Sequence, residues 1–212
     1  MNFFEKIKLE NFRNFTQFNI DFCNKCNVII GPNGTGKTNI LESLSLFEKG
    51  RGFRKDIYKN MINKKNLNQM FLINSKFITK NNNLDLEITC NTMDSRLKKK
   101  ILVNGSSTKE SLKYFEDFYS IIYFLPEMER FFIGSPSLRR NFFDRLIYGV
   151  DKKYLAILNN YKKKIIERNA ILKKNNYDAD WINQIENEEQ KLSAESSMVR
   201  LTFTSRITSL RS

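Results

Sequence analysis

The chain has 212 residues, 41% of them hydrophobic, with 36 lysines and arginines against 23 acidic residues for a formal charge of +13. That apolar content supports a buried core and excludes a disordered chain, and the lack of any run of about 18 apolar residues excludes a membrane helix. With 0 histidines, a histidine general base, a Ser-His-Asp triad and a histidine-ligated metal are all excluded, which leaves carboxylates, lysines and backbone groups for chemistry.

The opening "MNFFEKIKLENFRNF" has neither the apolar stretch nor the small-residue cleavage site of a secretory signal, and 3 cysteines cannot close a disulfide set, so a cytoplasmic protein is expected. "FEKIKLE" (4–10) and "FTQFNIDF" (15–22) alternate apolar and polar residues and predict half-buried strands. Cys23 and Cys26 form a lone CxxC with no second pair to complete zinc ligation, and they read as strand and turn residues. "NVII" (27–30) predicts a short strand buried on both faces. "TNILESLSLF" predicts a helix with Ile40, Leu41, Leu44 and Phe47 on one face, broken by "GRGFR" (50–54).

Strands are predicted at "MFLINSKFIT" (70–79), "LDLEITC" (84–90) and "KILVN" (100–104), the last ending in the turn dipeptide Asn104-Gly105. A helix over "KESLKYFEDF" (109–118) and a strand over "SIIYFLP" (120–126) follow. Ser135-Pro136 places an N-cap ahead of a proline suited to the first helical position, and Asp151 caps a longer helix. In that helix Tyr154, Leu158, Tyr161, Ile165 and Leu172 step by three and four, with Arg168 interrupting. Ile182, Ile185, Leu192, Val199, Phe203 and Leu210 resume the stepping beyond "NNYDAD". The pattern fits a coiled-coil hairpin and equally a plain helical subdomain.

"GPNGTGKT" (31–38) fits G-x-x-x-x-G-K-[ST], a pattern that average composition produces by accident on the order of once in a hundred chains of this length. Gly31, Pro32, Asn33, Gly34, Thr35, Gly36, Lys37 and Thr38 are the expected binders of a nucleoside triphosphate. The glycines let backbone N–H groups face phosphate oxygens, the helix N-terminus adds partial positive charge, Lys37 reaches the β- and γ-phosphates, and the Thr38 hydroxyl ligates Mg²⁺. Turnover would also need an acidic residue at the end of a second apolar strand. "LIYGVD" (146–151) comes nearest but contains Gly149 and sits between predicted helices, so binding is expected and the catalytic residues are unknown.

"KLENFRNF" (8–15), the glycine octet, "GRGFR", "LPEMERFFIGSPSLRRNFFDR" (125–145) and "ERNAIL" (167–172), in this order, resemble the bacterial RecF family of recombination mediators. The resemblance implies an α/β P-loop NTPase lobe of the ABC head type, as in SMC and Rad50 proteins, with an inserted helical or coiled-coil hairpin lobe. Residues 1–134 are expected to form the ATP-binding lobe with antiparallel strands and residues 135–212 the helical lobe. Family members run on for over a hundred further residues carrying the signature segment and the acidic pair, so the second half of the ATPase lobe is expected to be missing. A further departure is "SIIYF", where such heads usually place a glutamine. The resemblance also implies ATP and Mg²⁺ as cofactors, and single-stranded or gapped DNA, RecO/RecR-type proteins and an ATP-dependent second copy as partners. The implied role is in replication, recombinational repair and the SOS response. Arg13 and Asn14 match the family's opening segment and are expected near the nucleotide.

The basic excess is the profile of a protein that meets a polyanion, although Lys, Asn, Ile and Phe all have A/T-rich codons and base composition supplies part of it. The DNA-contact candidates are Arg51, Arg54 and Lys55 beside the loop, Lys98 to Lys100, Arg139 and Arg140, and Lys162 to Lys164. Arg139 and Arg140 are equally suited to pairing with Asp144 or Glu127. Two other classes fit parts of the pattern: a P-loop phosphotransferase on a small molecule, and a non-catalytic helical scaffold.

Overall fold

The computed structural model describes residues 2–65, 70–91, 98–126, 133–173 and 178–209, and the chain divides into two compact units, Met1–Ile121 and Ile122–Ser212. In the first unit β1 (Phe3–Phe12), β2 (Phe15–Asp21), β3 (Met70–Ile78), β4 (Asn83–Asn91) and β5 (Lys99–Val103) form an antiparallel sheet in the order β2-β1-β3-β4-β5. The period-two pattern sets the register. Leu9 lies opposite Ile73, Ile73 opposite Ile88, Phe77 opposite Leu84 and Leu86 opposite Val103, all of them buried. The intervening Lys8, Lys76 and Asp85 are exposed, and a slip of one residue would exchange the two faces.

The buried face is covered by residues of α1 (Lys37–Ser45), α2 (Tyr58–Met61) and α3 (Lys109–Phe118) and of the turns after them. Leu46 and Phe47 beyond α1, Met61 of α2 and Phe115 of α3 join the strand residues in one cluster. Phe4, Phe47, Phe77, Phe115 and Tyr119 interlock with ring centroids 5.0–6.3 Å apart. Each such pair adds about 0.5–1.5 kcal/mol beyond the area it buries. Thr108 caps α3 by accepting the Ser111 N–H at 3.2 Å.

Two predicted strands do not form. Residues 27–30 join no ladder, and Val28 and Ile30 are 74% and 88% exposed. Burial on both faces needs a strand on each side, and neither edge of the sheet, β2 or β5, pairs with this segment. Its apolar run therefore marks a strand-like sequence without the neighbours that would bury it. Residues 120–126 also lack a ladder: the Ile121 N–H donates to Glu48 Oε1 at 2.9 Å, and Ile122 and Phe124 are exposed. In α1 the inward face differs by one position from that predicted, because Leu41 is 49% exposed while Glu42 is fully buried against arginines. Cys23 and Cys26 lie in an exposed turn that the Asn27 side chain closes, with Cys23 N–H donating to Asn27 Oδ1 at 2.9 Å.

Lys99, among the basic candidates of β5, turns inward. Its ammonium donates to the Leu46 and Glu48 carbonyls just past α1, where the helix dipole favours a cation. Burial lowers its pKa to about 8 against the opposing pull of Glu48. The folded value lies below the ordinary one of 10.5, so the unfolded chain holds more protons between pH 8 and 10.5 and stability rises with pH across that window. The stability difference between the native protein and Lys99→Met should therefore tilt toward the native protein by up to about 1.4 kcal/mol per pH unit between pH 8 and 10.5. Denaturant melts of both proteins against pH measure it, and a flat difference would show an unshifted ammonium.

The second unit contains α4 (Pro136–Val150), α5 (Lys152–Leu172) and α6 (Ala179–Ser209). Pro136 occupies the first turn of α4 as predicted, but the Ser135 hydroxyl bonds Ser137 Oγ at 2.8 Å instead of capping the backbone. Asp151 does cap α5, accepting the Lys153 N–H at 2.9 Å. Tyr154, Leu158, Ile182 and Ile185 are buried in the seam. Ile171 rather than Leu172 packs on Ile182 and Ile185, since Ile171 is the residue facing the returning helix at that level. Arg168, which interrupts the apolar stepping, donates across the hairpin to Glu186 at 2.7 Å. Asp144 accepts from the Tyr154 hydroxyl at 2.6 Å and from Arg200 Nε at 2.8 Å. Burial, then the Asp144 hydrogen bond and charge, push the Tyr154 hydroxyl well above its usual pKa. Leu210 lies outside the described residues. Among the described residues no helix is long and apolar enough to cross a membrane.

Candidate nucleotide site

The loop of residues 31–36 runs from the exposed segment 27–30 into the N-terminus of α1. Gly34 and Gly36 have φ of 83° and 105°, in the left-handed region where a side chain is strained, whereas Gly31 is not in that region. At Gly36 a Cβ would also lie 2.5 Å from Phe15 Cζ and 2.7 Å from Asn14 Oδ1, so the position is closed to a side chain twice over. Its carbonyl accepts the N–H groups of Asn39 and Ile40 at 2.8 and 3.0 Å, which starts α1 without a side-chain cap. The free N–H groups of the first turn are left to face an anion.

Lys37 folds along the loop, its ammonium donating to the carbonyls of Gly31 and Pro32 at 2.7 Å each. An ammonium carries three donors, so one remains for a phosphate oxygen, and its charge is held at the loop by the two carbonyls. The Thr35 hydroxyl donates to the Pro32 carbonyl at 3.0 Å and tightens the same bend. Thr38 is exposed at the start of α1, and its hydroxyl has no protein hydrogen-bond partner among the described residues, as a cation ligand requires. A cleft of about 470 Å³ opens beside the loop, walled by Phe15, Phe18, Val28, Ile30 and Lys37. The Phe15 and Phe18 rings stack at 4.5 Å and give that wall a flat aromatic surface.

Arg13 and Asn14, adjacent in the β1–β2 turn, go to different places. Asn14 reaches the loop, its Nδ2 donating to the Thr35 carbonyl at 3.1 Å. Arg13, at φ 55°, turns away into an ion-pair cluster. Its Nε and Nη2 donate to Glu42 at 2.8 and 2.6 Å, and its Nη1 to Asp56 at 2.9 Å. Burial works against the charged guanidinium, but the hydrogen bonds of Glu42 and Asp56 outweigh it and raise its pKa. The same contact with Arg13, followed by that of Asn60, holds the Asp56 carboxyl below its usual value. Arg13 thus braces the elements around the loop and is committed to carboxylates.

Arg54 is likewise committed, with Nη1 donating to Asn39 Oδ1 at 2.8 Å and Glu42 Oε2 at 3.1 Å. Of the other basic candidates, Arg51, Lys55, Lys98, Lys100, Arg140, Lys162 and Lys163 are exposed. Arg139 is half-buried and donates to the Gly134 carbonyl at 2.7 Å, while Lys164 pairs with Glu188 at 2.7 Å. Asp144 is taken by Arg200 and Tyr154, and Glu127 lies outside the described residues. Sequence reasoning missed Glu42, Asn39 and Asp56. Their contacts link residues 29 and 43 positions apart from Arg13 and 15 apart from Arg54, separations at which no periodicity speaks.

The profile of the RecF/RecN/SMC N terminal domain matches residues 3–114. A DNA replication and repair protein RecF of Rickettsia bellii (strain OSU 85-389) is 32% identical over 188 residues, covering 87% of this chain and 49% of that protein. The protein of the same name from Rickettsia conorii (strain ATCC VR-613 / Malish 7) is 34% identical over 185 residues, with the same coverage of 87% and 49%. Solved structures of the recombination mediator protein RecF in the RecFOR pathway, described as its ATPrS and ATP forms, superpose with a TM-score of 0.79 at 25% and 26% identity. They cover 96% of this chain and 54% of theirs. The chain therefore spans about half the length of the relatives it matches. An antiparallel sheet backed by a P-loop helix, a second unit made of helices and these likenesses agree: the chain belongs to the RecF/RecN/SMC N-terminal domain family, with the ABC-type head fold, and corresponds to the N-terminal portion of RecF.

Proposed function

We propose that the chain binds ATP with Mg²⁺ through residues 31–38 and serves as the nucleotide-responsive part of a DNA-binding repair protein. The observation that carries this reading is the Lys37 ammonium, held by two loop carbonyls with one donor to spare at the N-terminus of α1. The Thr38 hydroxyl would hold the cation, which neutralises phosphate charge when bound. The relatives' name, DNA replication and repair protein, supports a role in DNA repair, which we assign to gapped DNA. In that role the protein would help place recombinase on single strands with RecO/RecR-type partners, pair with a second copy around ATP, and serve the SOS response in the cytoplasm. Hydrolysis would draw its acid from outside the described residues.

DNA contact falls to the exposed cations, with Arg51 and Lys55 in the turn after α1 and Arg140 on α4 as the first candidates. Each neutralised phosphate releases counterions, so affinity for a gapped duplex should fall steeply with salt. Arg140→Ala should weaken binding across sequences and reduce the log–log salt slope by about 1, with the melting temperature unchanged. Arg139→Ala should instead loosen the start of α4, because its guanidinium holds the Gly134 carbonyl. A salt-independent affinity in the native protein would reject DNA contact and favour a protein-binding scaffold.

A further inference from the structure

We infer that Asn14 and Asn39 form a positioning latch on the phosphate loop, setting the direction of the Gly36 N–H and with it the grip on a triphosphate. The inference rests on the nucleotide reading above and gives neither asparagine a contact with the ligand.

Three hydrogen bonds run in one sense. Arg54 Nη1 donates to Asn39 Oδ1 at 2.8 Å, Asn39 Nδ2 donates to Asn14 Oδ1 at 2.8 Å, and Asn14 Nδ2 donates to the Thr35 carbonyl at 3.1 Å. Two amide dipoles thus lie head to tail between a guanidinium and a loop carbonyl, and each polarises the next. The Thr35–Gly36 peptide is trans, so its C=O and N–H point in opposite directions. Holding the carbonyl on Asn14 turns the Gly36 N–H to the other side of the loop, where it donates to no protein acceptor among the described residues.

A glycine at φ 105° is the freest point of this loop, and nothing in its own covalent structure stops that peptide from rotating. The latch supplies the missing restraint and packs directly on the glycine, within 2.8 Å of where a Cβ would stand. Its far end is rigid. Arg54 also bonds the fully buried Glu42 carboxylate, which Arg13 holds with two further N–H groups. Restricting the loop before the anion arrives lowers the ordering cost of binding.

The test uses the full chain, a fluorescent ATP analogue and ¹⁵N-glycine labelling, which leaves only 8 glycine amides to resolve. Asn14→Ala and Asn39→Ala should each weaken analogue affinity about tenfold, the size of one lost hydrogen bond with its partner left unpaired. The double variant should do no worse than either single one, because breaking either link opens the same latch. The Gly36 amide resonance should shift in all three while melting temperatures stay within about 2 °C, a combination that a merely structural role does not produce. If Asn14→Ala does not fold, Asn14→Ser is read in the same way. Affinities unchanged in the single variants while Lys37→Ala abolishes binding, or losses that multiply to about a hundredfold in the double variant, would overturn the latch. If Lys37→Ala binds normally, the nucleotide reading itself fails and the latch with it.

Discussion

Lys37→Ala is expected to weaken binding of a fluorescent ATP analogue by about 100-fold or more while leaving the melting temperature within about 2 °C of the native value. The two halves of that expectation have separate causes. The ammonium is a point charge at the loop with one donor beyond the two that the Gly31 and Pro32 carbonyls take, so its loss would remove a charge-assisted hydrogen bond to phosphate and local positive potential together. Its other bonds go to carbonyls of an exposed loop that water can satisfy, so the fold loses little. Lys37→Arg should not restore affinity. A planar fork cannot sit on the Gly31 and Pro32 carbonyls as a compact ammonium does. Titration of the analogue by fluorescence anisotropy, with and without Mg²⁺, measures both variants, and Thr38→Ala should lose the Mg²⁺-dependent part. Unchanged affinity in Lys37→Ala would remove the phosphate assignment.

Glu42→Ala should have the largest effect on stability, a loss of about 3–5 kcal/mol and a fall in melting temperature of about 10–20 °C. The Glu42 side chain is 0% exposed and accepts from Arg13 at 2.6 Å and Arg54 at 3.1 Å. Removing it leaves the Arg13 guanidinium, itself only 13% exposed, with Asp56 as its remaining charge partner. A largely buried cation stripped of its bidentate carboxylate, with one ion pair left at Asp56, is costlier than the lost pair was favourable. Arg54→Ala should cost far less, since that side chain is 37% exposed and its loss leaves Glu42 still paired with Arg13. Replacing both members with apolar residues of similar volume, Arg13→Met with Glu42→Leu, should recover more than half of the loss. Thermal and urea melts of the three variants decide the matter, and a Glu42→Ala protein melting within 2 °C of the native one would show the cluster to be dispensable.

The sheet was legible where its information is local. Alternation in 70–79, 84–90 and 100–104 gave β3, β4 and β5, and of the two expected caps Asp151 holds its helix end while Ser135 does not. The resemblance to a known family carried the ABC-type head fold, which the α/β architecture and the likeness to RecF agree with. The glycine-rich bend ahead of α1 was legible for the same local reason. Gly36 is required by its own φ, and Lys37 stands one residue on, so an eight-residue pattern contains most of the bend.

The tertiary structure decided everything that depends on a partner far along the chain. A run such as "NVII" states that its residues favour a strand, but only neighbouring strands bury one, and here Val28 and Ile30 face solvent. Lys99 reads as one more surface cation until β5 brings it to the end of α1, 51 to 53 residues away. Arg13 reads as a nucleotide contact until α1 sets Glu42 against it. By itself the sequence determined the short-range quantities, namely dihedral preference, periodicity and the inventory of charges. Which charges meet, and which apolar residues are covered, follows from contacts closed across long loops, whose free energy is spread over residues that carry no local sign of one another.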